Sequence, residues 1–565
     1  MTEPTKGARP PADGGLKRRE LAMMPAVLGV VGSGSGPASA QPATAVGNAS
    51  LSDLQEALAQ GRVTSSELTR AYLARIEAYD RQGPGLNSVR TTNPDALSIA
   101  AGLDAVKPSA TQPLAGLPIL VKDNIATGDR QPTTAGSLAL EGAHARDDAP
   151  VVRKLREAGA VILGKANLTE FANILAIGMP SGYSSIAGYV RNPYSPTLMA
   201  NEAPAVLPGG SSAGSAVAVA AGLCAAAIGT ETSGSLLSPA TQNGLVTVKP
   251  TVGLISRSGI IPISHSQDTA GPMTRTVRDS AILLNVLAGR DPDDPATHLL
   301  QRPDDYTSGL DKDGLKGARI GVPSDPDDPL NDPFYGPLSP RAKEVMAQAI
   351  KVLEELGATI VRAAIPAIGW IGGPGTTMPV LNRNPFSPAR GTPWPASVVF
   401  LYELKRDLNL YLRDWATGTQ MKTMTDIIAF NTANADKALR YGQDLFLAAE
   451  ATRGDLSELE YKSARAMDLM AAKERGMDAY MSQHRLDAVV FPGASGSTIA
   501  AKPGYPSVQV PAGFISGVGK TETPDYPLGL SFAGRAWSEA TLLRLAYAYE
   551  QATNARRPPP DLPAL

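Results

Sequence analysis

Short runs of apolar residues that end in polar positions alternate along the chain with stretches of helical periodicity. Four of the runs are too short for helices and are typical of buried strands. They are residues 117–121, 160–163, 486–491 and 507–510. The clearest helical patterns are at residues 151–158, 215–227 and 539–553. This alternation predicts an α/β fold, in which a central mixed, largely parallel twisted sheet is covered by helices.

The pattern changes in the middle of the chain, where residues 340–480 contain long helical segments such as 343–356 and 461–480. The Gly/Pro-rich stretch 366–395 between those two segments predicts a loop. Strand patterns return after this region, so we interpret it as a helical layer inserted within one fold. The sequence therefore predicts a single large domain over residues 41–565.

The first forty residues have the features of an export signal. The basic residues 17–19 (K-R-R) precede the apolar stretch 21–31, and the small residues 38–40 (A-S-A) resemble a cleavage site. Paired arginines favour twin-arginine export to the periplasm or the exterior, with cleavage before Gln41. The apolar stretch is too short to span a bilayer, so we expect no stable membrane insertion. A basic leader on a cytoplasmic enzyme is the alternative.

Composition excludes several classes of protein. The 565 residues are 43% hydrophobic with a formal net charge of -2, and they contain no basic stripe with interleaved aromatic residues, so we expect no nucleic-acid partner. The single cysteine, Cys224, cannot form an intrachain disulfide, and its apolar neighbours predict a buried packing role. None of the four histidines has metal-ligand spacing, so we expect no metal site.

Two turns rich in glycine and hydroxyl residues flank one apolar helical pattern. Residues 209–215 read G-G-S-S-A-G-S, and residues 229–235 read G-T-E-T-S-G-S. Glycine lets the backbone turn tightly and approach a ligand, and successive free backbone N–H groups can hold a developing oxyanion. On composition alone, the pair indicates either a serine-based catalytic site or two ordinary Gly/Ser loops.

These turns, followed by K-P-T-V-G at residues 249–253, resemble the signature of the amidase signature family. The resemblance covers about residues 50–555, with the signature core at about 115–280. Within the family it is greatest to bacterial peptide amidases, which remove the C-terminal amide of peptides. Blocks that carry the resemblance lie at residues 116–124 (G-L-P-I-L-V-K-D-N), 164–171 (G-K-A-N-L-T-E-F), 256–264, 267–273 (Q-D-T-A-G-P-M), 529–534 (G-L-S-F-A-G) and 536–551.

The resemblance implies an amide hydrolase with a Ser-Ser-Lys triad that acts through an acyl-enzyme, without a cofactor, on a peptide amide or another small amide. Ser235 matches the nucleophile, Ser211 the serine that follows a cis peptide bond and relays protons, and Lys122 the base. A lysine must be buried to be neutral at ordinary pH, and the apolar strand before Lys122 would bury it. The other residues that the resemblance implies are Ser212 and Thr230, which support the hydroxyl network, and Thr232, Ser233 and Gly234, which form the oxyanion hole and bind substrate.

Three departures from the family pattern concern the surroundings of the nucleophile. Ser233 stands where Gly or Asp is usual, which changes a pocket-lining side chain. Residues 236–238 read L-L-S, whereas many members have an arginine shortly after the nucleophile, so binding of anionic substrates through that arginine is in doubt. The segment 196–208 is longer than usual, so we expect a different rim of the site.

A second interpretation treats residues 210–214 as the G-x-S-x-G elbow of a Ser-His-Asp α/β-hydrolase, with Ser212 as the nucleophile. That elbow requires a buried strand before the turn, but residues 203–209 read A-P-A-V-L-P-G and form a poor strand. Residues 159–165 nearly match a phosphate-binding loop, but Ala166 replaces the required Ser or Thr.

Two questions stay open at the level of sequence. Lys165 also ends an apolar strand, so only the family match favours Lys122 over Lys165 as the base. The triad does not define the substrate, because leaving-group and acyl pockets set specificity. Aryl amides, carbamates and esters are therefore alternatives to peptide amides, and a non-catalytic binding relative is a further one.

The export signal makes a testable prediction. If residues 1–40 form a twin-arginine signal, replacing both Arg18 and Arg19 by Lys will retain the protein in the cytoplasm, because the pair of arginines is the recognised feature. Cell fractionation and N-terminal sequencing of the native protein measure this. Unchanged fractionation, or an untrimmed N-terminus, would contradict it.

Overall fold

The computed structural model describes residues 46–106, 111–324, 332–385, 387–515, 525–560 and 562. The predicted export signal, residues 1–40, lies outside these residues. Within them, no helix is both long enough and apolar enough to cross a membrane.

A central sheet of eleven strands organises the described part of the chain, and its strands run in the order β1-β3-β2-β4-β6-β5-β10-β11-β9-β7-β8. In chain order the strands are β1 (Val89–Thr92), β2 (Pro118–Lys122), β3 (Val161–Ala166), β4 (Ala226–Glu231), β5 (Val246–Lys249), β6 (Thr269–Thr274), β7 (Arg319–Val322), β8 (Thr359–Arg362), β9 (Ala488–Pro492), β10 (Ser507–Ile515) and β11 (Tyr526–Ala533).

Strand pairing in this sheet is mixed. Two runs of three neighbours, β3-β2-β4 and β9-β7-β8, pair in parallel. The other neighbouring strands of the described sheet are antiparallel. The predicted α/β fold with a mixed sheet under helices is confirmed, and its parallel part lies in the two runs.

Helices cover the sheet and fill the middle of the chain. They are α1 (Leu51–Ala59), α2 (Ser65–Arg75), α3 (Ala96–Asp104), α4 (Pro150–Glu157), α5 (Ala213–Ala220), α6 (Leu237–Gln242), α7 (Val277–Leu287), α8 (Pro340–Glu355), α9 (Val398–Asp414), α10 (Met424–Ala433), α11 (Ala435–Ala438), α12 (Asp444–Glu450), α13 (Leu459–Leu469), α14 (Asp478–His484), α15 (Ser497–Ala501) and α16 (Glu539–Thr553).

Shorter elements complete the described chain. The segments Ile76–Arg81 and Met470–Met477 are π-helical, and the 3₁₀ turns are Leu138–Leu140, Glu170–Asn173, Pro295–Leu299 and Ile368–Trp370. Three small strand pairs join His144–Ala145 to Ala416–Thr417, Tyr183–Ser184 to Gly188–Tyr189, and Thr377–Leu381 to Pro393–Ser397.

The helix predicted over residues 215–227 is wrong at both ends. α5 begins at Ala213 and ends at Ala220, and β4 begins at Ala226. Between them Gly222 has a φ of 68°, and a Cβ at that glycine would lie 2.2 Å from the carbonyl oxygen of Gly47. The alanine-rich run has no periodicity that separates a buried helix from a buried strand, so the sequence pattern merged the two.

The middle region is helical where predicted, with α8 close to the predicted 343–356. The predicted 461–480 is divided among α13, the π-helical segment Met470–Met477 and α14. A further part of the region differs from the prediction. The stretch 366–395, predicted as a loop, contains most of the hairpin Thr377–Leu381/Pro393–Ser397. Prolines argue against a central strand, but this ribbon has only two strands, and Pro379 pairs with Pro395 across it. Helices α9, α10 and α12 pack over a second hydrophobic cluster that includes Phe171, Leu404 and Phe446.

The start of α5 predicts a stability difference between two helical glycines. A Cβ at Gly214 would lie 2.3 Å from the Ser88 carbonyl oxygen and 2.4 Å from that of Asn167, whereas one at Gly102 in α3 meets no atom within 4 Å. We expect Gly214→Ala to lower the free energy of unfolding by roughly 1–3 kcal/mol, as overpacking does. Gly102→Ala, the matched control, should raise it by roughly 0.5–1 kcal/mol. Denaturant unfolding of both variants measures this, and equal effects would contradict the predicted contact.

Candidate active site

Two of the predicted site residues, Lys122 and Thr230, meet at the carboxyl ends of two parallel strands. Lys122 is the last residue of β2, and Thr230 lies near the end of β4. These strands are neighbours in register, with Val121 opposite Ile228. Because parallel strands end at the same edge of a sheet, the two side chains meet there, where α/β folds commonly place their ligand sites.

Lys122 makes three polar contacts through its amino group. Its Nζ lies 2.8 Å from Ser211 Oγ, 2.8 Å from Thr230 Oγ1 and 3.3 Å from the Thr230 carbonyl oxygen. A neutral amine has two N–H donors and one lone pair. The two Thr230 oxygens can accept the N–H groups, which leaves the lone pair to accept the Ser211 hydroxyl proton.

Burial gives Lys122 the protonation behaviour of a base. The side chain is fully buried, and burial lowers the pKa of Lys122 to about 7, although the carboxylates of Asp268 and Glu231 act in the opposite direction. A pKa near neutrality makes the uncharged amine available at ordinary pH. The setting therefore suits proton abstraction.

Ser211 and Ser212 form the turn that leads into α5. The peptide bond between Gly210 and Ser211 is cis. Ser212 is fully buried, and its Oγ donates to the Thr230 carbonyl at 3.0 Å and accepts the Thr230 N–H at 3.2 Å. Ser212 therefore ties the turn to β4, and no histidine of the described residues contacts its hydroxyl.

Ser235 lies in the turn between β4 and α6 and is only 8% exposed. Its carbonyl oxygen accepts the Ser212 N–H at 3.2 Å, which brings the two Ser/Gly turns together. Glu231 holds the end of the turn that leads into α6, since its carboxylate accepts hydrogen bonds from the backbone N–H groups of Leu236 and Leu237 at 2.7 and 3.0 Å. Leu237, near the position for which the family resemblance implies arginine, is buried.

The backbone of this turn presents unused donors. Gly234 has a φ of 89°, in the region that favours glycine. Within the described residues, none of the four backbone N–H groups from Thr232 to Ser235 donates to a protein acceptor. Free N–H groups in succession suit a developing oxyanion.

The two other side chains of the turn have separate partners. The Thr232 hydroxyl donates to Asp268, whose carboxylate also accepts the backbone N–H groups of Ile263 and Ser264 at 2.8 and 2.9 Å. Burial raises the pKa of Asp268 to about 6. The Ser233 hydroxyl lies 3.4 Å from Thr498 Oγ1. Asp268 thus links the turn to the loop that follows residue 256.

Lys165, the alternative candidate for the base, is also buried, but it has other partners. Its Nζ donates to the Ile125 carbonyl at 2.7 Å and to Thr133 Oγ1 at 2.8 Å. Burial lowers the pKa of Lys165 to about 8. Its contacts include no serine of the two turns, so the geometry favours Lys122 as the partner of Ser211.

A cavity of about 260 Å³ opens beside this network. It reaches the network at Asn124, Thr230, Thr232 and Asp268. Its other walls include the loop 257–265, residues 293–295, and the C-terminal part of α9 with the residue that follows it. Those walls include Arg257, Ile260, Ile261, His265, Arg406, Tyr411 and Trp415.

One contact across this cavity joins the loop to α9. His265 Nδ1 lies 2.7 Å from Asp407 Oδ2 and 3.6 Å from Glu403 Oε2. Burial alone would lower the pKa of His265, but the hydrogen bond to Asp407 and the charge of Glu403 raise it above the ordinary value. Glu403 also accepts hydrogen bonds from the Ser264 hydroxyl and from the Tyr461 hydroxyl. The three ionisable groups therefore hold the cavity walls together.

The sequence does not predict the roles or the contacts of some of these residues. Asn124 and Asp268 lie within the family blocks 116–124 and 267–273, but the sequence predicts a role for neither. His265 and Asp407 are far apart in the chain, and only the placement of α9 brings them together.

The long segment 196–208 bends back on itself through a bridge between Leu198 and Pro204.

Known proteins resemble this chain in sequence and in fold. The family model described as Amidase matches residues 67–371. The crystal structure of native peptide amidase from Stenotrophomonas maltophilia is similar, with a TM-score of 0.78 and 42% identity, over 91% of this chain and 98% of that one. A structure of a peptide amidase with the competitive inhibitor chymostatin has a TM-score of 0.77 and 41% identity, over 91% of this chain and 99% of that one.

A sequence relative extends the similarity. A protein named "Probable amidase" from Arabidopsis thaliana is 38% identical over 521 residues, which cover 90% of this chain and 91% of that protein. The chain therefore belongs to the amidase signature family. It is an amidase, a hydrolase of carbon–nitrogen bonds in amides, as the sequence predicted.

Proposed function

We propose that the protein hydrolyses C-terminal amides of peptides, or similar small amides, through an acyl-enzyme formed on Ser235, with Ser211 as proton relay and Lys122 as base. The observation that carries the proposal is the hydrogen bond of 2.8 Å between the buried Lys122 Nζ and Ser211 Oγ. A serine hydroxyl is a weak nucleophile until a neighbouring base takes its proton. The lowered pKa of Lys122 supplies such a base.

The proton path accounts for both halves of the reaction. Neutral Lys122 takes the proton of Ser211, which takes the proton of Ser235 as its oxygen attacks the amide carbonyl. The carbonyl oxygen becomes an oxyanion, which the free N–H groups between Thr232 and Ser235 would stabilise. The same path in reverse protonates the leaving nitrogen, the carbon–nitrogen bond breaks, and water then releases the acid from Ser235.

The substrate class rests on the likeness to peptide amidases and on the size of the cavity. A volume of about 260 Å³ suits a small amide or the terminal part of a peptide. The triad itself would also act on aryl amides, carbamates and esters, so a hydrolysis panel of matched peptide amide, anilide, carbamate and ester tests this part of the proposal. We retain export through residues 1–40 as part of the proposal.

The nucleophile can be identified by covalent labelling. Ser235→Ala should abolish turnover, and a fluorophosphonate probe should modify Ser235 in the native enzyme, because only the activated hydroxyl reacts. Peptide mapping by mass spectrometry measures the site. Ser212→Ala is the control, and the probe should still modify Ser235 in it. A probe adduct on Ser212 would instead support the elbow interpretation.

The base can be identified by a pair of lysine variants. Lys122→Ala should lower kcat/KM for a peptide amide by roughly 100- to 10,000-fold, the usual range for loss of a general base. The matched ester should lose less, because its leaving group needs less protonation. In the wild type the acid limb of kcat/KM should lie near pH 7, with activity rising above it, since Lys122 must be neutral to accept a proton.

Lys165→Ala is the matched control for that experiment. Lys165 is equally buried, so its loss should reduce thermal stability, because the Ile125 carbonyl and Thr133 lose their partner. The rate per folded molecule should stay near that of the wild type. If Lys165→Ala were inactive while Lys122→Ala kept its activity, the assignment of the base would be wrong.

A further inference from the structure

The turn between β4 and α6 presents two successive side chains to different neighbours. The Thr232 hydroxyl donates to Asp268, and both residues line the cavity. The Ser233 hydroxyl lies 3.4 Å from Thr498 Oγ1, and these two residues are not among the described residues that line the cavity. The turn therefore has a second neighbour, the loop 493–498, which follows β9.

This loop reads G-A-S-G-S-T and is held firmly against the sheet. Gly493 donates its N–H to the Gly529 carbonyl at 2.7 Å, and its own carbonyl accepts the Ser531 hydroxyl at 2.6 Å. Both partners belong to β11. A Cβ at Gly496 would lie 2.3 Å from the Phe491 ring, so the loop also packs closely on β9. The loop is therefore a fixed surface beside the turn.

Three hydroxyls at the contact between loop and turn are accessible and largely unused. Thr498 is exposed, and Ser233 and Ser497 are partly exposed. Ser497 Oγ lies 3.2 Å from the position of a Cβ on Gly234, the residue before Ser235. Hydrogen bonds between hydroxyls usually measure about 2.5–3.0 Å, so the contact of 3.4 Å is weak. In the described part of the chain the three hydroxyls have no other hydrogen-bond partner, so each can donate to a ligand and accept from it.

The hydroxyls lie within reach of a substrate attached to Ser235. Ser233 is two residues before Ser235, so their Cα atoms are at most about 7.6 Å apart. An extended peptide spans roughly 3.3–3.6 Å per residue, so it covers that distance with its second residue. Cleavage of a C-terminal amide releases ammonia, so the whole peptide chain belongs to the acyl part. A peptide group that contacts these hydroxyls is therefore part of the acyl chain.

We propose that Ser233 and Thr498 bind peptide groups of the acyl chain, about two residues from the cleaved amide. The inference rests on the proposed function and names specificity residues for it. The two hydroxyls carry no charge and supply both donors and acceptors, so they match the N–H and C=O of a peptide group. The preferred substrate is therefore an uncharged peptide chain, such as an N-acylated peptide amide, rather than the amide of one amino acid with a free ammonium group.

The first test measures kcat/KM for an N-acetylated dipeptide amide and for the shorter substrate that lacks its N-terminal residue. Thr498→Val should lower the ratio of longer to shorter substrate by roughly 2- to 10-fold, the usual net value of one hydrogen bond. Thr498→Ser keeps a hydroxyl and should keep the ratio. Ser495→Ala should leave the ratio unchanged, because Ser495 is exposed in the same loop and, within the described residues, has no hydrogen bond to the turn.

Two results of this test would overturn the proposal. The first is an unchanged ratio in Thr498→Val. The second is an equal loss of kcat/KM for both substrates, which would show that Thr498 only supports the turn. Fluorophosphonate labelling of Ser235 in each variant shows that the site is folded.

A second test changes the charge of the surface. An aspartate at position 233, one of the two residues usual there in the family, only accepts hydrogen bonds and attracts cations. Ser233→Asp should raise the ratio of kcat/KM for a dipeptide amide with a free ammonium group to that for its N-acetylated form. We expect an increase of up to roughly 5-fold, the range for an exposed ion pair. Ser233→Asn, the uncharged control, should not raise it.

The second test is measured at about pH 7, where the α-amino group is mostly protonated. Any effect of the new carboxylate on the base acts on both substrates and cancels in the ratio. A ratio that does not rise in Ser233→Asp would show that position 233 does not contact the acyl chain, and would overturn the proposal.

The outcomes also separate this inference from the function on which it rests. A wild-type enzyme that hydrolyses no peptide amide would contradict the proposed function. A wild-type enzyme that hydrolyses both peptide amides, with ratios that no substitution at Ser233 or Thr498 changes, would contradict the role of these two residues alone.

Discussion

A buried amino group that contacts two hydroxyls is the constraint on which the rest of the site depends. Lys122 could not be buried in its charged form without a large desolvation penalty. Burial lowers the pKa of Lys122, which favours the uncharged amine, and the Lys122 nitrogen has three oxygen partners. A buried, neutral and hydrogen-bonded lysine is also what the proposed serine relay requires, so the contacts that stabilise the buried amine also suit the proposed chemistry.

Thr230 links the parts of this arrangement. Its side chain binds Lys122 and Asn124, and its backbone binds Ser212 on the incoming turn. The position of one residue on β4 thereby sets the positions of Lys122, the turn at Ser212 and the cavity wall together. The pairing of β2 with β4 provides this position, because adjacent parallel strands keep a fixed register. The sheet is therefore part of the site's geometry.

The sequence predicted the fold class, and of the residues that contact Thr230 it predicted Lys122 and Ser212 but not Asn124. Strand periodicity and the order of the family blocks can both be identified along a long chain. The sequence therefore predicted the α/β fold and the amidase assignment. The boundary between α5 and β4 was not, because a run of buried alanines has no period and Gly222 alone marks the break. His265 and Asp407 could not be paired either, since their contact depends on how α9 packs rather than on any local pattern.

The three fully buried lysines of the described chain show what burial contributes and what it does not. Burial lowers the pKa of Lys122, Lys165 and Lys249 alike, to about 7, 8 and 8. Lys165 donates to a carbonyl and a threonine, and Lys249 donates to the Tyr505 carbonyl. A carbonyl has no proton to give, so Lys249 has no proton to accept from its partner. Of these three, only Lys122 contacts a serine of the two Gly/Ser turns. Burial therefore lowers the pKa of several lysines, and the hydroxyl partner distinguishes the one that we propose as the base.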